Sequence, residues 1–267
     1  MKKLKIGWGR IRAGWVAAVV AATSFALLIP PVVGQADAKT NKEDAEEEVD
    51  PAKPAPVKRA PKFKPAGLDW RMDHEKVYRV YSKVIDRDHV HRYKDVEPGV
   101  QTERLEDEIR AKKHRFRMSH IEFKTPPSVL DGSSFEGEYT YGNKEAMMRI
   151  KRKGKHRTLF FIRDQLWKTI DIYPLGEKSK WGLTFESAVE RIEKILKQKG
   201  RRLYADEEQK DVREVDWADG RVHLRVIDFG KDEVAIAFVD MKTEAKLPEL
   251  RKSKDEKKEE KKKDYLR

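Results

Sequence analysis

The stretch Ile85-Asp86-Arg87-Asp88-His89-Val90-His91-Arg92-Tyr93 gathers the densest set of metal-ligating side chains in the chain. Two imidazoles at i and i+2, His89 and His91, point the same way from a strand. Asp86 and Asp88 would then complete a tetrahedral or octahedral shell. The same stretch, however, closes a helical pattern, where charged residues are ordinary solvated caps, and no third anchor follows at a recognisable spacing. No metal site is assigned.

A second cluster has a clearer use. Lys151, Arg152, Lys153, Lys155, His156 and Arg157 put six cationic or imidazole side chains into seven positions around Gly154, and Lys112 to Arg117 add five in six. At a hairpin tip and along a helix these would hold a polyanion such as lipopolysaccharide phosphates, an acidic glycan or nucleic acid. Turns and solvated helix faces are also where Lys and Arg ordinarily sit. The six residues of 151–157 are the anion-binding candidates.

Aromatic residues offer a third chemistry. Trp70, Trp167, Trp181 and Trp217, with Tyr139, Tyr141 and Tyr173, would line a glycan- or peptide-binding face, because aromatic rings give large contact area at small entropic cost. Trp167 and Trp217 sit in strand-like runs and read as core. Trp181, in the loop Lys178-Ser179-Lys180-Trp181-Gly182, is the candidate surface aromatic.

No catalytic motif accompanies these groups. Asp228-Phe229-Gly230 copies three letters of a kinase signature without its partners and reads as a turn, and Gly132-Ser133-Ser134 lacks the strand and glycines of a nucleophile elbow. P-loop, HExxH, dinucleotide and calcium-loop patterns are absent, so no catalytic residue and no cofactor is assigned. Glu136 and Glu138 are a dispersed acid pair whose spacing says nothing of their separation in space.

The elements that must position these residues are legible from periodicity. Asp73 caps a helix of about 74–87 with Val77, Val80, Tyr81, Val84 and Ile85 on one face. Thr102 to Met118 reads as a long, mostly solvated helix with a narrow stripe of Leu105, Ile109 and Phe116; its acids come early and its bases late. Met147–Ile150 and Thr158–Ile162 flank the basic turn, and Arg163-Asp164-Gln165 turns the chain into Leu166–Tyr173, giving three antiparallel strands. Thr184 caps a third helix along Phe185, Ala188, Val189, Ile192 and Leu196, with Gly200 as its C′ residue. Val212–Trp217, Val222–Ile227 and Val234–Val239 make a second meander around Asp219-Gly220 and Gly230. The fold class is α+β, helices packed on antiparallel meanders in the order ααβββαβββ, with flanking disordered ends.

The ends explain the composition. Of 267 residues, 38% are hydrophobic and 40% charged, so part of the chain stays outside any core. Met1–Arg12 is basic, Ala13–Ile29 is uncharged, and small residues at Ala36 and Ala38 fit a cleavage rule, so residues 1–38 read as a signal peptide or an uncleaved anchor. Membrane contact is expected only through residues 13–29, if the signal stays. Residues 39–67 read as a disordered Pro-rich spacer, 68–250 as a single α+β domain and 251–267 as a charged tail. The formal charge of +12 divides into +4 for 1–38, +1 for 39–67, +4 for 251–267 and only +3 for 68–250. That division argues against a nucleic-acid partner. Cysteine is absent, which excludes disulfides, thiolate sites and lipoprotein anchoring.

Leu68–Ile85 (LDWRMDHEKVYRVYSKVI), then FEGEYTYGNKEAMM, RTLFFIRDQLWK and VDWADGRVHLRVID, resembles a family of uncharacterised exported proteins of myxobacteria-type bacteria over roughly residues 68–240. That resemblance implies an exported α+β domain and brings no catalytic residues. Leu68–Asp73 before a helix is also similar to small periplasmic envelope-assembly domains, although the second meander departs from their pattern. The expected function is a non-enzymatic periplasmic or secreted binding module for an envelope protein or anionic surface polymer, with strand edges and the 151–157 tip as contact surfaces. An exported hydrolase with a dispersed site is the alternative, and an inner-membrane anchor holding the domain outside the cytoplasm is the alternative location.

Overall fold

The computed structural model describes residues 53–61, 65–125, 135, 137–205, 211–230 and 232–252. The readings placed on residues 1–38, on Gly132-Ser133-Ser134, on Glu136 and on nearly all of 251–267 lie outside the described residues. Among those described, no helix is long and apolar enough to cross a membrane.

Asp73 caps α1 (His74–His89), its carboxylate accepting the Lys76 N–H at 2.7 Å. A 3₁₀ turn (Val90–Lys94) leads to α2 (Val100–Met118), which buries Leu105, Ile109 and Phe116 as its narrow stripe predicts. Helix α3 (Phe185–Leu196) opens with a reciprocal cap: Thr184 Oγ1 accepts the Ser187 N–H at 3.2 Å, and Ser187 Oγ accepts the Thr184 N–H at 3.1 Å. Its end differs from the expectation. Lys197, not Gly200, takes the left-handed conformation, with φ of 56°. Gly200 serves a different need: a Cβ there would lie 2.3 Å from Val215 Cγ1 and 2.5 Å from the Trp217 ring, so the absence of a side chain lets the backbone cross that part of the core.

The strands are β1 (Ala55–Pro56), β2 (Ile121–Glu122), β3 (Glu145–Arg152), β4 (Lys155–Ile162), β5 (Gln165–Pro174), β6 (Arg201–Tyr204), β7 (Val212–Ala218), β8 (Val222–Gly230) and β9 (Glu233–Asp240). Two short helices, α4 (Met241–Glu244) and α5 (Leu247–Leu250), follow. The fold is α+β with both expected meanders, and they form one sheet. β5 pairs antiparallel with β9, setting Ile170 opposite Ala237.

Three short strands were not expected, and they occupy the sheet margins. β2 covers the outer side of β3, while β6 and the parallel β1 share the outer side of β7. The outer edge of β7 is thus filled by a two- and a four-residue strand, a common protection against edge pairing, while β2 pairs only with Ala146 and Met147 of β3. β1 also corrects the reading of 39–67 as wholly a spacer. Ala55 is fully buried opposite Trp217, and the Ala60 N–H donates to Asp219 at 2.9 Å, so the folded unit reaches back to about residue 53. Proline composition disfavours an interior strand but is compatible with a short marginal one.

A single cross-sheet row runs Ile150, Arg157, Asp171, Ile236, Val226, Val215. At its first end, α1 and α2 pack Tyr81, Ile85, Ile109 and Phe116 on Met148, Leu159 and Phe161. At the other, α3 packs Phe185, Val189 and Ile192 on Trp217, Leu224 and Val226. All three long helices therefore share one face, and the charged pair lies between their two apolar clusters. The opposite face is covered by Phe123, Phe135, Leu247 and Leu250 over Met147, Phe160 and Trp167. Phe160 and Phe161 go to opposite faces, as a doubly covered strand requires, and Trp167 and Trp217 are core.

Candidate functional site

The structure separates the predicted site residues. Asp86 pairs with Lys113 at 2.6 Å, Asp88 pairs with both the Nε and NH2 groups of Arg152, and buried His89 joins its Nδ1 to the Ile85 carbonyl at 2.7 Å. His91 is exposed on the 3₁₀ turn, so the helical geometry sends the two imidazoles apart. Among the described residues no group of three or more ligating side chains could hold a metal.

The 151–157 cluster divides by strand alternation. The hairpin turn is only Lys153-Gly154, both at positive φ, and Lys155 to Arg157 already belong to β4. Lys151, Lys153 and His156 are exposed, Arg152 is bound to Asp88, and Lys155 and Arg157 turn to the helix-bearing face. There Arg157 donates two hydrogen bonds to Asp171, each 2.5 Å, and a third to the Tyr81 hydroxyl at 3.1 Å. Burial opposes both charges, but each partner's field outweighs it: Asp171 stays below the usual carboxylate range and Arg157 rises above the ordinary guanidinium value. Lys155 donates to Asp171 at 2.7 Å and to the Tyr173 hydroxyl at 3.2 Å. Burial, then the Arg157 charge, lowers its pKa.

These groups form one end of a groove. It has a volume of about 250 Å³ and is lined by α3, by residues of β4, β5, β8 and β9, and by Pro61. Ile192, Leu224, Ile236 and Phe238 make it apolar, and Ile195 stands 64% exposed at its lip. Trp181, the surface aromatic candidate, lines it and meets Tyr173 edge-on at 5.5 Å. The exposed Lys180 carries its ammonium over both rings, 4.5 Å from the Tyr173 centroid and 4.7 Å from that of Trp181. Lys155, Arg157 and Lys180 line the groove together with Asp171, which accepts hydrogen bonds from both Lys155 and Arg157.

Sequence reasoning named Trp181, Lys155 and Arg157 and missed Asp171 and Ile195. An acid within the apolar run Thr169-Ile170-Asp171-Ile172 was the available signal for Asp171. For Ile195, exposed beside Ile192 and Leu196 on α3, the signal was an apolar side chain outside the helix's buried stripe.

Three other polar places lie elsewhere on the molecule. On the opposite sheet face, Lys168 is 1% exposed, donates to Glu138 at 2.7 Å and lies over the Phe160 and Trp167 rings; burial lowers its pKa to about 8, against the pull of Glu138. Arg225 bridges Glu138 and Glu214 there, beside a cavity of about 650 Å³. Farther along, His223 joins Nδ1 to Glu244 at 3.0 Å and Nε2 to Asp216 at 3.1 Å; burial opposes its charge, but the two acids raise its pKa to about 9. Near the start of α1, His74 stacks on His120 at 4.3 Å and shares a 2.6 Å contact with Asp164, lining a cavity of about 470 Å³. Nearly parallel rings aim their in-plane lone pairs side by side rather than at one point.

The molecule is an α+β domain whose three long helices lie on one face of a mixed, mostly antiparallel sheet, with a cationic and apolar groove beside α3. Comparison with family models, with curated proteins and with solved structures gave no match.

Proposed function

We propose that this protein is a non-enzymatic binding module of the cell envelope, exported by residues 1–38 and taking a partner protein through the groove beside Trp181. The observation that carries the reading is the groove itself: exposed Ile195, half-buried Trp181 and Phe238, and a cationic end in one place. Its 250 Å³ is below the 300–1,000 Å³ or so that encloses a small molecule, and suits one or two anchoring side chains.

Three of the enclosed acids are held in ion pairs rather than poised as proton donors. Glu138, Asp171 and Asp216 are each paired with cations, and although burial raises them, those partners hold all three below the usual carboxylate range. A general acid needs the opposite shift. Exposed Lys151 and His156, beside Lys153 in its 3.6 Å ion pair with Asp88, offer an anionic surface polymer a secondary contact.

The test is capture from solubilised cell envelope by the full chain and by its Ile195→Asp variant, washed across a salt series. A partner that resists high salt with the wild-type chain and is lost with the variant is the expected result. Capture indifferent to Ile195→Asp would overturn the groove reading, and retention of the chain in the cytoplasm on fractionation would overturn export.

A further inference from the structure

We propose that the cavity of about 470 Å³ at the start of α1 binds a sulfate or phosphate group, and binds it more tightly in acid. His74, His120, Glu122, Lys144, Arg163 and Asp164 line it, and none of them lines the groove. Its volume falls within the 300–1,000 Å³ or so that holds a small molecule.

The sign of the ligand follows from which charges are already taken. Asp164 is engaged twice by His74: one carboxylate oxygen lies 2.6 Å from the ring Nδ1 and accepts the His74 backbone N–H at 3.1 Å. Glu122 has Lys124 at 3.6 Å. Glu75, 3.9 Å from His74 Nε2, is held by Arg117 at 2.8 Å. His120, Lys144 and Arg163 are left over. Among the described residues Lys144 makes no ion pair, and Arg163 donates to the Leu250 carbonyl at 3.0 Å, a neutral partner that leaves its charge without a carboxylate in contact.

His120 supplies the pH dependence. Its ring stacks on that of His74 at 4.3 Å with 20° between the planes, meets Phe161 edge-on, and has no hydrogen-bond partner for either nitrogen among the described residues. Burial, and then the His74 charge, hold it below the ordinary imidazole value; Glu122, Asp164 and Glu75 oppose that shift without reversing it. In acid, two imidazolium rings therefore face each other, and a carboxylate touches only one of them. An oxyanion at the rim of the stack, between His120, Lys144 and Arg163, relieves that repulsion. Coupling of this kind is reciprocal, so the bound anion raises the His120 pKa by the factor by which acid tightens the anion. A cationic ligand would weaken as the imidazoles charge, and the direction of the pH effect therefore tests the sign.

Sulfate titrations of the full chain at about pH 5 and about pH 8 test the site, with ionic strength held constant by sodium chloride. Sulfate keeps its double charge across that range, so only the protein titrates. The readout is the set of histidine ring Cε1–H resonances, assigned by loss in single variants. The expected result is an affinity at least tenfold higher in acid, with sulfate raising the His120 midpoint by about one unit or more. Lys144→Asn, which suits the positive φ of 56° there, should weaken binding at both pH values, and His120→Gln should abolish the difference between them, each with an unchanged melting temperature at about pH 8. Phenyl sulfate run in parallel separates an esterified occupant from the free ion, and acid-tightened binding of either supports the site. Equal affinity in acid and base, binding indifferent to Lys144→Asn, a response at the exposed His114 or His156 as large as that at His120, or a pH difference that survives His120→Gln would each overturn the proposal.

Discussion

Arg157 and Asp171 face each other from neighbouring strands at the seam between two apolar cores, joined by two hydrogen bonds of 2.5 Å and each about one-twentieth exposed or less. Their attraction offsets the loss of hydration only while both are present.

Removing one partner is therefore worse than removing both. Asp171→Leu leaves a buried guanidinium whose remaining hydrogen bond among the described residues is to the Tyr81 hydroxyl, and should lower stability by about 3–5 kcal/mol. Arg157→Met combined with Asp171→Leu should recover most of that loss. Urea denaturation midpoints of the three chains decide it, and a double variant no more stable than Asp171→Leu would show that the pair acts through packing instead.

His223 predicts an alkaline loss of stability. Its folded pKa of about 9 exceeds the ordinary imidazole value of 6.5, so the folded state binds the proton more tightly. Its contribution is complete below pH 6.5 and disappears as pH rises through 9, on the order of 3 kcal/mol in all. Lys168 works the other way: with a folded pKa of about 8 against 10.5, it adds stability as pH rises between those values. Stability should fall from pH 6.5 and then level or recover. The difference curve between the wild-type chain and His223→Gln isolates the imidazole, and should decline between pH 6.5 and 9. A flat difference would remove the two acids as its stabilising partners.

Gly200→Ala tests a contact with rigid neighbours. The added methyl would lie 2.3 Å from Val215 and 2.5 Å from the fully buried Trp217, neither of which can swing away. Overpacking of this kind costs about 1–3 kcal/mol. For a folded unit of this size that is a fall in melting temperature of roughly 2–12 °C, read by thermal circular dichroism. An unchanged value would mean that β6 and β7 separate without penalty.

Local order was well marked in the chain, and its long-range assembly was not. Asp73 and Thr184 announce helix starts because a cap is a contact within three residues, and Asp219-Gly220 announces a hairpin for the same reason. The position of Asp171 opposite Arg157 was hidden by a bulge. Pairing starts at Ile162 with Gln165 and Phe161 with Leu166, then slips so that Phe160 meets Lys168. Without that slip the register would set Arg157 against Ile170. A bulge depends on the packing of both faces and leaves no local composition signal. β1 was missed because Ala55 and Pro56 join the sheet through Trp217, more than a hundred and fifty residues away.

The seam between β5 and β9 also orders events in time. Most strands here pair with a chain neighbour across a turn of a few residues, whereas Ile170 meets Ala237 only after 67 residues of chain have been closed. Loops of that length close slowly compared with hairpins, so the two meanders should form first and dock later. Asp171 and Tyr173 arrive on one side of the seam, Ile236 and Phe238 on the other. The groove comes into being at that last docking step, and a nascent or partly folded chain lacks it until assembly is complete.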